Sequence, residues 1–433
     1  MREIEVLYNI YVRHPHISTD TRNIAPSSLF FALRGATFDG NDYALGAIEG
    51  GAAHAVVDRV EIFDAAQKIP ELRGRVTLVD DTLVALQQLA AHHRKVLGIR
   101  VLAISGSNGK TTTKELLASV LSTRYNVSAT RGNLNNHIGV PLTLLAIEPG
   151  CEIAIVEMGA SSCGEIALLC SIARPDYGIL TNVGRAHLEG FGGEVGVRRG
   201  KGELFDYLAA SGALAIVAVD NEIISTMAEE RRGLHISPYN YSLADGVDHH
   251  LEGDYNRFNV AAAVAVGREF AIDESDICAA IEAYIPENNR SQRVVTERNT
   301  LIVDCYNANP SSMEASICNF GSEEFGDTLS KVMILGDMYE LGEWSASEHR
   351  RVVELATRSD AESIYLVGSN FASVASAASA TSEASATTAD SRVIHFEVRD
   401  MLECELRDNP LSGCAVLIKG SRGVGLENII SLL

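Results

Sequence analysis

A glycine-rich octapeptide at residues 105–112, SGSNGKTT, constrains the fold of this chain more than any other feature. The residues before it, RVLAIS, form a short β-rich apolar run, and those after it, TTTKELLASVLSTR, have helical spacing. Glycines let backbone N–H groups turn inward around an anion, and the start of a helix adds the positive end of its dipole. The pattern therefore predicts a strand–loop–helix unit that holds phosphate groups.

Two side chains of this loop suit a nucleotide that carries magnesium. Lys110 would supply a positive charge to the β- and γ-phosphates, and Thr111 would supply a hydroxyl ligand for Mg²⁺. A second predicted strand, CEIAIVEMG, brings Glu157 to its carboxyl end, where a carboxylate can hold Mg²⁺ instead of facing solvent. The predicted nucleotide-binding residues of the loop are Gly106, Ser107, Asn108, Gly109, Lys110, Thr111 and Thr112.

The spacing of the loop leaves one alternative open. Here the pattern is G-x-x-G-K-T, two residues shorter than the common G-x-x-x-x-G-K-[ST] form. A glycine-rich turn that happens to carry a lysine would also fit this spacing. The strand and helix on either side favour the phosphate loop.

Hydrophobic patterning predicts an α/β protein with about three domains for a length of 433 residues. Short strand-like pieces surround a helical stretch in the first part of the chain. From residue 100 onward, apolar strands alternate with helices, which indicates βαβ units and a mainly parallel sheet. A second alternating set begins near residue 300. The Ala/Ser/Thr-rich stretch 371–390 is low in complexity, and we interpret it as a helix of small residues or a surface segment.

Charge and composition exclude several classes of function. Acidic residues outnumber basic ones by 57 to 36, which argues against a general nucleic-acid or anionic-membrane surface. No run approaches the ~18 apolar residues that span a bilayer, and the start of the chain lacks the pattern of a signal peptide. The 8 cysteines form no C-x-x-C pair, so neither a zinc cluster nor a disulfide framework is indicated. We expect a cytoplasmic protein.

Several stretches together resemble the Mur ligase family. They are GSNGKTTTKELL, RGNLNNHIGVPLTLL, EMGAS, TNVGRAHLEGFG, GKGELF, DCYNANPSSMEA, ILGDMYELG, IKGSRG and the N-terminal STDTRNIAPSSLFFALRGATFDG. The resemblance implies a small N-terminal α/β domain for a UDP-sugar at residues 1–82. It also implies a central P-loop ATPase domain with a mainly parallel sheet at 83–297. A C-terminal Rossmann-like α/β domain at 298–433 would hold an incoming dipeptide.

The same resemblance implies a reaction. ATP would phosphorylate the terminal carboxylate of UDP-N-acetylmuramoyl-tripeptide, and the amine of D-alanyl-D-alanine would attack the acyl phosphate to form an amide. Phosphorylation is needed because an oxide is a poor leaving group. Bringing a carboxylate to within ~4 Å of a triphosphate costs about 1 kcal/mol per charge pair in water and more in a shielded site, so metal ions and lysines must offset it. The implied partners are small molecules, and we expect a monomer.

The resemblance also assigns metal and catalytic residues. One Mg²⁺ would be held by Thr111 and Glu157, and a second by His187 and a carbamate formed on Lys201. Taken alone, His187 could be a surface histidine and Lys201 a solvated cation at a helix start. A lysine adds CO₂ only when it is unprotonated, so its pKa must be lowered or its carbamate stabilised. Lys110, His187 and Lys201 are the predicted catalytic residues.

Further residues match the family pattern less directly. Asn136, Asn256, Asn259, Arg290 and Asp337 are predicted to contact the nucleotide, the last two after domain closure. Tyr306, Asn307, Asn309, Lys419 and Arg422 are predicted on the dipeptide side, and Ser18 and Arg22 at the UDP end. The chain departs from the usual pattern at three positions, where His137 replaces an acid and Tyr255 and Asn41 replace histidines.

Other functions remain possible at this stage. A P-loop kinase or nucleotide hydrolase would explain the loop, and so would a non-catalytic nucleotide-binding switch or scaffold. Ligases that add L-alanine, D-glutamate or a diamino acid, and folylpolyglutamate synthase, are alternatives within the family. The segments YNANP and KGSRG argue against these relatives. The sequence leaves open whether the third residue of the tripeptide is meso-diaminopimelate or lysine.

Overall fold

The computed structural model describes residues 2–286, 290–323, 325, 329–372, 374 and 390–433. These residues form three separate sheets that follow one another along the chain, and each sheet defines a region that we call N-terminal, central or C-terminal. The α/β fold class and the three-part organisation are confirmed. Most of the low-complexity stretch 371–390 lies outside the described residues, so its predicted structure stays a prediction.

The N-terminal region is a small sheet of four parallel strands in the order β1-β2-β3-β4. Its elements are α1 (Arg2–Arg13), β1 (Ile17–Ser18), β2 (Leu29–Phe31), α2 (Ala44–Glu49), β3 (His54–Val57), α3 (Val60–Lys68) and β4 (Val76–Leu78), with short 3₁₀ helices at Thr21–Asn23, Gly40–Tyr43 and Pro70–Leu72. Helix α4 (Thr82–Leu97) then leads to the central region and packs against α1. Asp81 starts α4 by accepting a hydrogen bond from the backbone N–H of Val84.

The central region is a six-stranded, fully parallel sheet in the order β10-β9-β8-β5-β7-β6. Its strands are β5 (Arg100–Ser105), β6 (Val127–Ala129), β7 (Ile153–Glu157), β8 (Tyr177–Leu180), β9 (Leu214–Ala218) and β10 (His235–Tyr239). Its helices are α5 (Lys110–Ser122), α6 (Gly139–Leu145), α7 (Glu165–Ala173), α8 (Leu188–Phe191), α9 (Glu194–Ser211), α10 (Glu222–Glu229), α11 (Asn256–Glu269) and α12 (Glu274–Glu282), with a 3₁₀ turn at Tyr241–Ala244. Strand β7 is buried along its whole length, as expected for a parallel strand covered by helices on both faces.

The C-terminal region is a mixed six-stranded sheet in the order β11-β12-β16-β13-β14-β15. Its strands are β11 (Gln292–Val295), β12 (Asn299–Asp304), β13 (Ser330–Gly336), β14 (Ser363–Val367), β15 (Val393–Phe396) and β16 (Cys414–Lys419). Its helices are α13 (Pro310–Ser322), α14 (Ser345–Thr357) and α15 (Arg399–Asp408), with 3₁₀ helices at Gly342–Trp344, Arg422–Val424 and Leu426–Leu432.

Strand β11 is the only antiparallel member of this sheet among the described residues. The predicted boundary at 297 assigns β11 to the central domain, whereas the strand hydrogen-bonds to β12 in the C-terminal sheet. The domain boundaries themselves stay predictions.

One apolar cluster runs through all three regions and joins them. It includes Leu7 of α1, Met158 beyond β7 and Met313 of α13. Separate clusters cover the opposite face of each sheet. None of the described helices is long and apolar enough to cross a membrane.

Candidate active site

A cavity of about 820 Å³ lies at the carboxyl ends of the central strands, and residues of the C-terminal region close its other side. Ligands of open parallel sheets bind at this edge because the loops between strands and helices diverge there. The structure brings most of the predicted site residues to its walls. They are Ser107, Asn108, Gly109, Lys110, Thr111, Thr112, Asn136, Glu157, His187, Asn256, Asn259, Arg290, Tyr306, Asn307, Asn309, Lys419 and Arg422.

The phosphate loop connects β5 to α5, as the sequence predicted. Gly106 and Gly109 have φ angles of 145° and 78°, a backbone conformation that favours glycine. A Cβ at Gly106 would lie 2.1 Å from the hydroxyl of Thr181, and one at Gly109 would lie 2.5 Å from the amide oxygen of Asn259. Both positions therefore require glycine, for space as well as for φ.

Lys110 folds back over its own loop. Its Nζ donates hydrogen bonds to the carbonyl oxygens of Gly106 and Ser107, at 2.8 and 3.1 Å. Burial lowers the pKa of Lys110, while the charge of Glu157 opposes that shift. A phosphate in the loop would offer the ammonium a charged partner in place of two neutral carbonyls.

Glu157 and Thr111 form an adjacent pair of oxygen donors. The Thr111 hydroxyl donates to one carboxylate oxygen of Glu157 at 3.0 Å, and the Asn135 amide donates to the other at 2.8 Å. Glu157 is only 2% exposed. A buried carboxylate beside a hydroxyl is a donor set that suits Mg²⁺, so these side chains fit the metal that the sequence implies.

His187 meets the C-terminal region at the edge of the cavity. Its Nδ1 hydrogen-bonds to the carboxylate of Glu340, and this contact lowers the pKa of Glu340. The backbone N–H of Glu189 donates to the carbonyl of Glu340 at 3.2 Å. A hydrogen bond at Nδ1 fixes the ring and leaves Nε2 as the nitrogen available to a ligand.

Lys201 lies on α9, beneath the wall of the cavity. Its side chain is buried, with Nζ 3.2 Å from the carbonyl oxygen of Ala160 and 5.3 Å from the ring centroid of Phe191. Burial, reinforced by the charge of Lys110, lowers the pKa of Lys201 to about 7. Lys201 does not line the cavity itself, but Ala160 does.

Three cations and an aromatic ring form the C-terminal wall. The guanidinium carbon of Arg290 lies 3.9 Å from the ring centroid of Tyr306, and that of Arg422 lies 5.5 Å from it. The ammonium of Lys419 forms an ion pair with Asp304 at 2.5 Å. Arg290 therefore shares one cavity with Lys110, and the described arrangement has the C-terminal region docked on the phosphate loop.

Three predicted asparagines also have structural roles. Asn136 accepts hydrogen bonds from the backbone N–H groups of Ile138 and Gly139 at the start of α6. Asn256 and Asn259 hydrogen-bond to each other at 2.7 Å on the first turn of α11.

Asn309 caps α13 and donates to the side-chain oxygen of Asn108 at 2.7 Å. This residue, predicted on the dipeptide side, thus touches the phosphate loop.

Some predicted residues lie away from the cavity. Asp337 does not line it, because its carboxylate accepts hydrogen bonds from the backbone N–H groups of Asn370 and Phe371. The predicted ribose contact of Asp337 therefore has no support in this arrangement. Gly106 is buried and does not line the cavity. Ser18 and Arg22 belong to the N-terminal region, where Ser18 donates to Ser28 and the exposed Arg22 pairs with Asp20.

Four residues that shape the site were not predicted from the sequence. The Thr181 hydroxyl donates to the carbonyl of Asn108, and the Asn182 amide donates to the same carbonyl and accepts from the N–H of Asn108. Asp304 and Glu340 line the cavity from the C-terminal side. Thr181 and Asn182 follow β8, the neighbour of β5, so their position at a strand end could have indicated them. Asp304 ends strand β12 and Glu340 lies within the stretch ILGDMYELG, so their positions could have indicated them, but their partners Lys419 and His187 are distant in sequence.

The fold and the cavity define a phosphate-loop α/β protein whose site lies between its central and C-terminal regions. Three family models match the chain: "Mur ligase family, catalytic domain" at residues 15–94, "Mur ligase middle domain" at 104–266 and "Mur ligase, glutamate ligase domain" at 289–422. With these matches and the relatives below, the chain belongs to the Mur ligase family.

Several curated relatives of this chain carry one particular name, UDP-N-acetylmuramoyl-tripeptide–D-alanyl-D-alanine ligase. The protein of that name from Bacillus subtilis is 34% identical over 96% of this chain and 92% of its own length. The Escherichia coli protein is 32% identical over 96% of this chain and 93% of its own length.

Solved structures agree with this relationship. MurF from Acinetobacter baumannii is 28% identical and covers 96% of this chain and 92% of its own, with a TM-score of 0.80. MurF ligase from Thermotoga maritima, solved in complex with ADP, is 24% identical over 97% of each chain, with a TM-score of 0.79, and shows the same fold.

Proposed function

We propose that this chain is an ATP-dependent amide ligase. It joins D-alanyl-D-alanine to UDP-N-acetylmuramoyl-tripeptide through an acyl phosphate, in the synthesis of peptidoglycan precursors. The observation that carries the proposal is the single cavity in which the phosphate loop, Glu157 and His187 face the cationic wall of Arg290, Lys419 and Arg422. Relatives with this activity in their names match the chain over nearly its whole length.

The phosphate loop would bind ATP. Backbone N–H groups at the start of α5 and the ammonium of Lys110 would hold the phosphates. One Mg²⁺ would be held by Thr111 and Glu157, and a second by His187 and a carbamate on Lys201. When bound, these ions offset the repulsion between the triphosphate and the substrate carboxylate.

The environment of Lys201 supports the carbamate. A pKa of about 7 leaves a large neutral fraction at physiological pH, and only the neutral amine can attack the carbon of CO₂. The nitrogen then loses a proton and becomes an anionic carbamate. Burial keeps bulk water from the amine, and Ala160, whose carbonyl oxygen the amine contacts, lines the cavity.

The C-terminal wall would bind the dipeptide. A dipeptide carboxylate suits a guanidinium, so Arg422, which lies over the ring of Tyr306, is the proposed contact together with Tyr306, Asn307 and Asn309. Arg290, over the same ring, would reach a phosphate of ATP, as the resemblance implied. The charge of Lys419 is already neutralised by Asp304, so we propose that Lys419 orients the carboxylate of Asp304 in the wall. The N-terminal sheet would bind the UDP end, with Ser18 and Arg22 as candidates. We also propose a cytoplasmic monomer.

A phosphate-release assay tests this function directly. Purified protein is given ATP, UDP-muramoyl peptides and a panel of amino acids and dipeptides. The proposal requires phosphate release only when the tripeptide substrate and D-alanyl-D-alanine are both present. Steady hydrolysis with neither substrate would favour a kinase or hydrolase, and nucleotide binding without turnover in any mixture would favour a scaffold. Comparing tripeptides that end in meso-diaminopimelate and in lysine identifies the third residue.

A further inference from the structure

One short segment contacts both the phosphate loop and the C-terminal region. This bridging segment comprises residues 181–191, from the end of β8 to the end of α8. On its central side, the hydroxyl of Ser107 donates to the carbonyl of Gly184 at 3.0 Å and accepts from the N–H of Gly184 at 2.9 Å. The side chain of Asn182 accepts a hydrogen bond from the backbone N–H of Asn108 at 2.9 Å. The bridging segment is thus hydrogen-bonded to the loop that would bind ATP.

The other side of the bridging segment is held by Arg185. Its guanidinium reaches Glu314 on α13 at 2.6 Å and Glu348 on α14 at 3.3 Å. Its backbone N–H donates to the hydroxyl of Ser311 at 2.7 Å. The side chains of Arg185 and Glu348 are 13% and 12% exposed. Salt screens such shielded pairs less than exposed ones.

The two regions approach closely at the same place. A Cβ at Gly184 would lie 2.6 Å from the hydroxyl of Ser311. Two residues beyond Arg185, His187 contacts Glu340 of the C-terminal region. Among the described residues, the polar contacts of the bridging segment with the C-terminal region come from Arg185, His187 and Glu189, and His187 is the residue that would hold metal.

We propose that Arg185 is a positioning residue. Its ion pairs with Glu314 and Glu348 clamp the bridging segment when the C-terminal region docks, and docking thereby fixes both His187 and the phosphate loop. The two carboxylates are available to Arg185 only in the docked arrangement, since they belong to the other region. A guanidinium can hold two carboxylates at once through separate N–H groups. This proposal extends the proposed function, and it rests on that function for the identity of the ligands that bind between the two regions.

Hydrogen exchange of the full chain, with a non-hydrolysable ATP analogue, tests the clamp without turnover. In Arg185→Met, amides of residues 181–191 and of the phosphate loop should exchange about tenfold faster than in the wild type. Arg351→Met is the matched control, because Arg351 contacts the same Glu314 but lies within the C-terminal region. Exchange of both segments should stay at the wild-type rate in that control. Unchanged exchange in folded Arg185→Met, or an equal rise in Arg351→Met, would overturn the proposal.

A second variant changes the acidic partner of the ion pair instead of Arg185. Glu348→Gln keeps Arg185 and removes one of its charged partners, so it should also raise exchange of the bridging segment. The double variant should show no more exchange than Arg185→Met alone, because both substitutions act through one pair. Fully additive effects would overturn the proposal.

Turnover adds a readout that a merely structural role would not give. In Arg185→Met, we expect the KM for D-alanyl-D-alanine and the KM for ATP each to rise about tenfold, because the clamp holds the docked C-terminal wall and the phosphate loop together. In Arg351→Met both constants should stay within about twofold of the wild type. Unchanged constants in folded Arg185→Met, or equal rises in Arg351→Met, would overturn the clamp. If the wild type lacked ligase turnover, the proposed function would fail, and the exchange comparison would still decide the clamp.

Discussion

The two walls of the cavity are built in different ways. The phosphate loop is one continuous stretch, and its partners Asn182, Glu157 and Asn259 lie in the central region, while Asn309 contacts it from the C-terminal region. The C-terminal wall combines Arg290, Tyr306, Glu340, Lys419 and Arg422, which follow four separate elements of the chain. The phosphate-loop wall is therefore built mainly by one region, whereas the C-terminal wall faces the cavity only while the two regions are docked. Substitutions in the two walls should therefore change turnover and stability in different ways.

The largest effect is expected in the phosphate loop. Lys110→Ala should lower turnover by about 10³-fold or more, because the transferred phosphate loses its charged partner. The half-buried side chain packs on its own loop, so thermal unfolding should stay close to that of the wild type. Phosphate release and a melting curve measure the two quantities. Near-normal turnover would refute the phosphate role of Lys110.

The next largest effect is expected beneath the cavity. Lys201→Ala should lower turnover by about 10²-fold or more, since a proposed metal ligand is lost. Formate or acetate should restore part of the activity by standing in for the carbamate. The same salts should leave Lys110→Ala inactive, which makes that variant the control. A folded Lys201→Ala that neither carboxylate rescues would contradict the carbamate.

A smaller effect is expected where the two walls touch. Asn309→Ala removes the hydrogen bond to Asn108 and the cap of α13, which should lower turnover about tenfold and stability by about 1 kcal/mol. Asn309→Ser is the matched control, because serine keeps the cap but cannot reach Asn108. Turnover should fall in both variants and stability only in the alanine variant. Equal stability of the two variants would show that the cap is not what stabilises α13.

The smallest effect on turnover is expected far from both walls. His54 on β3 is buried and hydrogen-bonds to Thr77, and burial lowers the pKa of His54 to about 4. The unfolded chain therefore binds a proton at this histidine below pH 6.5, whereas the folded chain binds it only near pH 4. The free energy of unfolding therefore decreases as the pH is lowered from 6.5 to about 4. The loss should be about 2 kcal/mol at pH 5.

The matched variant for this prediction is His54→Gln, which cannot titrate. Unfolding in urea at pH 7 and pH 5 should show a smaller loss of stability in the variant than in the wild type. An identical loss in both proteins would mean that another group controls the acid response. Turnover at pH 7 should be unchanged, because His54 does not reach the cavity.

Much of the fold could be predicted because its signals are local. Strands such as β5 and β7 are continuous apolar runs, and helices between them show their own periodicity. Strand β11 carries no such local signal, because QRVV does not indicate its partner, and pairing with β12 depends on a turn and a neighbouring strand. The turn between β5 and α5 could be predicted from its glycines and from the apolar runs on either side, whereas its phosphate-binding role stays a prediction.

The sequence by itself determined where the candidate phosphate-binding and metal-binding groups of the central region lie, because the loop residues are contiguous and Glu157 ends a strand, while their roles stay predictions. Only the tertiary structure decided what faces them. It turned Asp337 inward to backbone N–H groups, paired His187 with Glu340, and set Arg185 between Glu314 and Glu348. The physical reason is that an ion pair between distant residues depends on how two separately folded regions dock, and no periodicity along the chain records that docking.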